Sequence, residues 1–400
     1  MTPIPPGATL GVMGGGQLGR MFVHAAQRLG YSTAVLDPDP FSPAGLVSHR
    51  HIQTGFIDEK GLAELAMCSA AITTEFENVP AQALRTLAAS RPVAPGATAV
   101  AIAQDRILEK QHFARCGVAC APHAVIESQQ QLQAVSGTLL PGILKTARLG
   151  YDGKGQQRVA TQDELARAWS GFEHIPCVLE KMLPLAAECS VIVARGADGQ
   201  MVCLPPQLNL HRGGILAVTQ VHEGNIPAAI ARQAQEATEE VARGLDYVGV
   251  LCVEFFVLDD GTLVVNEMAP RPHNSGHWSL DGCDISQFEL QVRTLAGLPL
   301  AQPRQHSPAI MLNLLGELWF RQDSSTKDQQ APQSQRPQQL PAEPFWADVL
   351  ALAGTHLHLY GKQDARIGRK MGHLNITAAS VEAARTTALE ACRLLGIDAF

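Results

Sequence analysis

The sequence predicts an α/β unit at the amino end, followed by α+β material in two further parts. Three observations carry this. The first third alternates apolar strands with helix-period segments, the pattern of a parallel sheet with helices on both faces. From about Leu140 to Met268 the chain is richer in strands and hairpins. A stretch rich in Gln, Pro and Ser, 322–343, then sets off a small terminal unit. The boundaries drawn on this basis are 1–104, 105–305 and 306–400.

In order along the chain, Thr9 to Gly14 is an apolar run ending in glycines, and a helix pattern follows from Gln17 to Leu29. Ser32 to Asp37 reads as a second strand and Ala70 to Phe76 as a later one. A single helix is expected from Ala99 to Cys116. Ile143 to Ala147 and Cys177 to Leu179 read as strands, and Asp198-Gly199 as the turn between Cys189–Ala194 and Met201–Leu204. Between Ile226 and Tyr247, Ile230, Ala234, Ala237, Val241 and Leu245 recur at three- and four-residue intervals, which predicts one long helix. The 322–343 stretch has almost no apolar residues with which to offset the entropy of ordering and is expected to be a flexible loop or linker. His356–Tyr360 and Gly372–Thr377 are then strands, and Ser380 to Leu395 a closing helix.

Composition excludes several classes of function. A net charge of -7 over 400 residues, with no basic cluster of the size nucleic acid requires, argues against DNA or RNA as a partner. No apolar run approaches a membrane span, and Met1 to Gly7 lack the basic start and apolar core of a signal peptide. The nine cysteines are odd in number and scattered, and Cys116 and Cys120 have no second pair at zinc-site spacing. A cytoplasmic protein with reduced thiols is expected.

The most informative chemistry lies in one hairpin. Val250–Leu258 and Leu263–Glu267 read as strands joined at Asp260-Gly261. A two-residue turn there pairs 258 with 263, 256 with 265 and 254 with 267. Glu254 and Glu267 would then lie roughly 5 Å apart on one face, a repulsion of about 3 kcal/mol at an effective dielectric of about 20. A divalent cation with oxygen ligands would relieve it, Mg²⁺ carrying nucleotide phosphates being the usual case. The alternative is an exposed edge hairpin with solvated charges.

Other segments offer anion-binding groups. Gly14-Gly15-Gly16-Gln17-Leu18-Gly19 matches G-x-G-x-x-G between a strand and a helix, with Asp37 ending the next strand. NAD, another phosphorylated ligand, or a tight structural turn are all compatible with it. Gly150-Tyr151-Asp152-Gly153-Lys154-Gly155-Gln156 is a glycine-hinged loop whose amides and lysine could fold over phosphates, or a plain hairpin loop, with Lys145 on the strand before it. Glu180-Lys181-Met182-Leu183, with Glu188 beyond, can offer backbone groups to a base and a carboxylate to a ribose, or can simply end a strand. Asn266 to Trp278 is dense in polar donors, and strand alternation points Arg271 and His273 the same way, as suits a phosphate-like anion. Lys362, Arg366, Arg369 and Lys370 form the most basic stretch, either a phosphate site or a solvated turn.

Together these segments resemble the ATP-grasp superfamily and, within it, the 5-(carboxyamino)imidazole ribonucleotide synthases of purine biosynthesis. The motifs that carry the resemblance are Gly14–Met21, Thr74–Val79, Gly150–Gln156, Asn266–Trp278 and Gly368–Asn375, in family order across nearly the whole chain. The resemblance implies a biotin-carboxylase-like amino-terminal domain, a central ATP-grasp domain and a small carboxy-terminal domain. It implies ATP-dependent carboxylation of 5-aminoimidazole ribonucleotide with bicarbonate through carboxyphosphate, by a homodimer using Mg²⁺ or, in its place, Mn²⁺. ATP would be held by Arg106, Lys145, Gly150, Tyr151, Asp152, Gly153, Lys154, Gly155, Gln156, Glu180, Lys181, Met182, Leu183, Glu188, His211, Asn266 and Glu267. Glu254 and Glu267 would hold the metal. Gln17, Glu75, Tyr151, Asp152, Lys154, Lys362 and Arg369 would bind the ribonucleotide, with Arg271, His273, Lys145 and Asp152 as the catalytic groups. The chain departs from the pattern at 322–343 and at Leu185, where an aromatic is more usual. A formate-dependent glycinamide ribonucleotide transformylase and an NAD-binding oxidoreductase are the alternatives.

Overall fold

The computed structural model describes residues 2–150, 155–320 and 342–400. Tyr151 to Lys154, and 322–343 apart from its last two residues, therefore lie outside the described residues. The amino-terminal unit is a parallel sheet in the order Arg50–Ile52, Ser32–Leu36, Thr9–Met13, Ala71–Thr74. Three of its four strands are almost wholly buried because the helices Gln17–Arg28 and Glu59–Cys68 pack their apolar faces against the sheet, while the edge strand Arg50–Ile52 buries only Ile52. This matches the strand–helix alternation of the sequence.

The remainder contains two antiparallel sheets. The smaller runs His123–Ile126, Cys177–Lys181, Gly142–Thr146, Gln156–Val159, and the helix Gln162–Gly171 buries Leu165, Ala168 and Trp169 against it. The larger begins Leu263–Ala269, Gly249–Leu258, Leu185–Arg195, Gln207–Arg212, Ile215–Val221. It continues through Ala309–Leu315, Lys370–Thr377 and Thr355–Leu359. The carboxy-terminal strands thus extend the central sheet, Ala309–Leu315 pairing with Ile215–Val221.

The long predicted helix is present as Ala228–Gly244, its Ala234, Thr238, Val241 and Ala242 buried on one side. The closing helix is Val381–Leu395, with the Ser380 hydroxyl accepting from the Ala383 N–H at its start. The single helix expected from Ala99 to Cys116 is instead two, Ala97–Ala103 and Arg106–Arg115. Asp105 separates them: it leaves the helical conformation, and its carboxylate accepts from the Ile107 and Leu108 amides as the cap of the second helix. The Arg106 amide, freed by that break, donates to the Ala147 carbonyl at 2.9 Å and joins the helix start to the small sheet.

Candidate active site

Glu254 and Glu267 do face each other, but not by the expected route. The turn is one residue longer than predicted: the Leu258 N–H donates to Thr262 O at 2.8 Å, leaving Asp259, Asp260 and Gly261 in the loop. Gly261 supplies the positive φ of 82° that such a loop requires. Pairing then runs Val257 with Leu263 and Phe255 with Val265, a register that would set Glu254 opposite Asn266. A bulge between Phe255 and Glu254 absorbs Asn266 and brings Glu267 into opposition instead. Each carboxylate already has a cationic or potentially cationic partner. His273 Nε2 lies 2.9 Å from Glu254, and Arg106 Nη1 donates to Glu267 at 3.1 Å. Burial works to raise the Glu254 carboxyl, yet His273 and its neighbours prevail and hold it at about 2.

A cavity of about 510 Å³ lies between the two antiparallel sheets. The small sheet contributes Lys145, Gln156 and Glu180, with Lys181, Met182 and Leu183 following; the large sheet contributes Glu188, His211, Glu254, Asn266 and Glu267. Arg106 lines the same space, and Leu185 stands at its apolar wall beside Leu216 and Phe256. Beneath the cavity Glu180 bridges two lysines, 2.9 Å from Lys145 Nζ and 2.9 Å from Lys110 Nζ. Burial would raise this carboxyl, but the two ammonium groups hold it at about 2. Lys145 also reaches Asn266 Oδ1 at 3.5 Å, so its charge is aimed at the hairpin bulge. His211 Nδ1 and Glu188 are 2.6 Å apart; burial lowers the imidazole pKa, but the carboxylate outweighs it and the net shift is upward.

A second, tighter cavity of about 130 Å³ adjoins the first beyond the carboxylate pair. Gly150, Arg271 and His273 line it, together with Glu77 and Asn78 from the amino-terminal unit. Arg271 Nε donates to Glu77, and burial of the arginine is more than offset by that carboxylate, which raises its pKa. Glu77 is held reciprocally at about 2: desolvation opposes its charge, and the guanidinium restores it.

Of the expected ribonucleotide residues, the described ones, Gln17, Glu75, Lys362 and Arg369, line neither cavity. Lys362 Nζ donates to Gln17 Oε1 at 2.6 Å and sits 5.5 Å from the centre of the Tyr360 ring. Arg369 Nη1 donates to the Asp364 carbonyl at 2.7 Å. Glu75 is buried, its two oxygens accepting from the Gly16 N–H at 3.0 Å and the Gly19 N–H at 3.1 Å. Asp37 takes the Gly15 N–H at 2.7 Å. The amides of Gly15, Gly16 and Gly19 are thus directed at protein carboxylates. The loop's glycines are needed for close approach: a Cβ on Gly16 would fall 2.6 Å from Glu75 Oε1. Gly155 lines neither cavity; it starts the return strand at φ 69°, where a Cβ would meet Thr146 Oγ1 at 2.6 Å.

Three site residues escaped the sequence reading. Glu77 stands inside a motif that was noticed, but its partner is 194 positions away. Lys110 and Glu109 were missed although a signal existed. With Arg106 they sit at i, i+3 and i+4, charges on what is here the buried face of a helix, the reverse of ordinary amphipathicity. Glu109 accepts from the Met268 N–H at 2.7 Å and is pushed up to about 8, chiefly by burial. Among the described residues no cluster of three or more His, Cys, Asp or Glu is arranged to hold a metal, and no helix is long and apolar enough to cross a membrane.

Three family models match the chain. They are a ribonucleotide synthetase preATP-grasp domain over residues 7–104, an ATP-grasp domain over 111–288, and a phosphoribosylaminoimidazole carboxylase C-terminal domain over 309–387. The N5-carboxyaminoimidazole ribonucleotide synthase of Brucella melitensis is 44% identical over 380 residues, 93% of this chain and 97% of the relative. That of Bacillus subtilis is 37% identical over 372 residues, 93% and 92% respectively. Among solved structures, an ADP complex of an N5-carboxyaminoimidazole ribonucleotide synthetase superposes with a TM-score of 0.88 at 35% identity, covering 99% of each chain. An Aspergillus clavatus enzyme solved with ADP and 5-aminoimidazole ribonucleotide gives 0.84 at 29% identity, covering 98% of this chain and 99% of that one.

Proposed function

The chain belongs to the N5-carboxyaminoimidazole ribonucleotide synthase family of ATP-grasp ligases, and from that premise we propose how its residues perform the family reaction. The reaction is the ATP-dependent carboxylation of 5-aminoimidazole ribonucleotide to its N5-carboxylated form, a step of purine biosynthesis. The observation that carries the assignment of residues is the meeting of two cavities at the Glu254–Glu267 pair.

ATP occupies the larger cavity, its adenosine along Glu180 to Leu183 with Glu188 and His211, and its phosphates toward Arg106, Lys145 and the Gly150–Gln156 loop. Glu180 orients Lys145 for this, since the pair is buried and its geometry is shared with Lys110. Glu254 and Glu267, with Asn266 between them on the bulge, form an all-oxygen donor set suited to Mg²⁺, or to Mn²⁺ in its place, that keeps waters and phosphate oxygens as its other ligands. Bound there, the metal would neutralise charge gathered during phosphoryl transfer.

A bicarbonate oxygen attacks the γ-phosphorus, and the bond to the bridging oxygen breaks with its electron pair leaving on ADP. Arg271 and His273 face the resulting carboxyphosphate, with Glu77 holding the guanidinium in place. The ribonucleotide amine then attacks the carboxyl carbon, phosphate departs with the C–O bonding pair, and the amine loses a proton. Gln17, Glu75, Tyr151, Asp152, Lys154, Lys362 and Arg369 are assigned to that substrate on the family resemblance. The same resemblance supports a homodimer in the cytoplasm, and light scattering at twice the chain mass would test the assembly. Phosphate release from ATP with bicarbonate, measured with and without 5-aminoimidazole ribonucleotide, tests the reaction. Release dependent on both co-substrates is expected, and its absence would overturn the reading.

A further inference from the structure

A buried line of hydrogen bonds runs through the large sheet to His273. The imidazole Nδ1 takes the Ser275 N–H at 3.3 Å and lies 2.9 Å from Ser275 Oγ. A backbone N–H can only donate, so Nδ1 is the bare nitrogen of the ring. Two lone pairs at 2.9 Å would repel, so the hydroxyl hydrogen of Ser275 points at Nδ1 as well. With its hydrogen so engaged, Ser275 Oγ accepts from Ser190 Oγ at 2.8 Å. Ser190 shares its hydrogen with Gln207 Oε1 at 3.0 Å and accepts in turn from Asn209 Nδ2 at 2.9 Å. Asn209 Oδ1 takes the Thr219 hydroxyl at 3.0 Å.

Ser190, Asn209 and Thr219 stand on three neighbouring strands, Leu185–Arg195, Gln207–Arg212 and Ile215–Val221, and all are buried, as is Ser275. Packing alone would fill such positions with apolar side chains, because a buried hydroxyl or amide costs free energy unless it is hydrogen-bonded. Here four hydrogen bonds run in one direction, from Thr219 through Asn209, Ser190 and Ser275, and end on one nitrogen of one ring. The backbone of His273 is held as well. Gln287 Oε1 accepts from its N–H at 2.9 Å, and Gln287 Nε2 donates to its carbonyl at 2.8 Å. A Cβ at Gly276 would fall 2.5 Å from that Oε1, so the glycine admits the buried amide.

We propose that Ser275, backed by Ser190, is a positioning residue that holds His273 in the tautomer bare at Nδ1 and protonated at Nε2. Nε2 is the nitrogen that lies 2.9 Å from Glu254 Oε1, and His273 lines both cavities. The other tautomer would set a lone pair against that carboxylate. Protonated, Nε2 has no lone pair with which to take up a proton. On the functional reading above, which this inference deepens, His273 therefore serves as a fixed donor to Glu254 and to the anion formed beside it. It is not a base for the attack of bicarbonate.

The test uses the full-length enzyme with its histidine nitrogens isotopically labelled. Long-range proton–nitrogen correlation spectra tell the two neutral tautomers from each other and from their mixture, and the His273 signals are those lost in His273→Gln. Wild type should show Nε2 protonated and Nδ1 bare. The reverse, an averaged pair or a doubly protonated ring overturns the inference. In Ser275→Ala only the longer N–H contact to Nδ1 remains, so the pair should move toward the averaged pattern. Its kcat should fall by about two- to tenfold, the range of one hydrogen bond, with the KM for ATP and for ribonucleotide within about twofold of wild type. A role confined to packing would lower the melting temperature and leave the His273 signals in place, so unmoved signals overturn the inference whatever kcat does. Moved signals beside an unchanged kcat overturn it too. Ser190→Ala, one link further from the cavities, is read by the same signals and carries the test if Ser275→Ala does not fold. The spectra need no substrate, so a wild type without bicarbonate-dependent phosphate release overturns the functional reading, while the tautomer is still decided by the spectra.

Discussion

Lys362 Nζ and Gln17 Oε1 are 2.6 Å apart across 345 positions of sequence, so the basic carboxy-terminal stretch lies directly against the amino-terminal glycine loop. The same ammonium donates to the Lys370 carbonyl at 2.6 Å, which fixes the turn on which Arg369 is carried. The contact creates a polar junction between units that the sequence presents as unrelated.

If this junction clamps the ribonucleotide's phosphate, Arg369→Ala should raise the half-saturating concentration of 5-aminoimidazole ribonucleotide by about one to two orders of magnitude. That for ATP should hardly change. Initial-rate kinetics in each substrate separates the two, and equal weakening of both would assign the stretch to ATP or to structure.

The Glu254–Glu267 pair makes a second prediction. Glu267→Gln keeps the size of the side chain and its hydrogen-bonding oxygen but removes the charge that a divalent ion needs. Mg²⁺-dependent ATP cleavage should be lost while circular dichroism and melting stay near wild type. Full activity in this variant would sink the metal assignment.

Glu77 should matter to both chemistry and stability. Glu77→Gln frees Arg271 from its carboxylate and should lower kcat by about tenfold or more with the KM for ATP little changed. The linkage to pH has a definite sign. The folded carboxyl sits at about 2 against an ordinary 4.5, so its stabilisation is fully present above 4.5 and drains away as pH falls toward 2. Stability measured by urea unfolding should therefore decline less steeply over that acid window in Glu77→Gln than in wild type; identical slopes would contradict the pairing.

Lys110 lies under the nucleotide cavity, buried, with Glu180 at 2.9 Å. Lys110→Met leaves Glu180 with one ammonium in place of two in a desolvated site. A loss of about 3–5 kcal/mol is expected from breaking a buried pair in this way. Denaturant titration reads it directly, and a change under about 1 kcal/mol would show that Lys145 suffices.

The glycine loop should not bind NAD or NADP, because its amides are already met by Glu75 and Asp37 and a Cβ-sized group has no room at Gly16. Calorimetric titration at micromolar cofactor should show no heat of saturable binding. Tight binding would revive the oxidoreductase alternative.

What the sequence determined by itself was local or combinatorial. Ala228–Gly244 was legible because apolar residues recur at helical spacing, and the parallel sheet because strands and helices alternate. The ordered set of motifs from Gly14 to Asn375 was enough to recognise the family. The opposition of Glu254 and Glu267 was also anticipated, but through a two-residue turn and an unbroken ladder. The fold uses a three-residue turn and a bulge at Asn266, two one-residue differences that cancel. Register depends on packing along the whole strand, so only the tertiary structure decides it. The same holds for the convergence of Lys110 and Lys145 on Glu180, for Glu77 on Arg271, and for Glu75 on the glycine amides. Each is a buried charge whose cost is met by a partner distant in sequence, and nothing in the residues adjoining either partner specifies which one it will be.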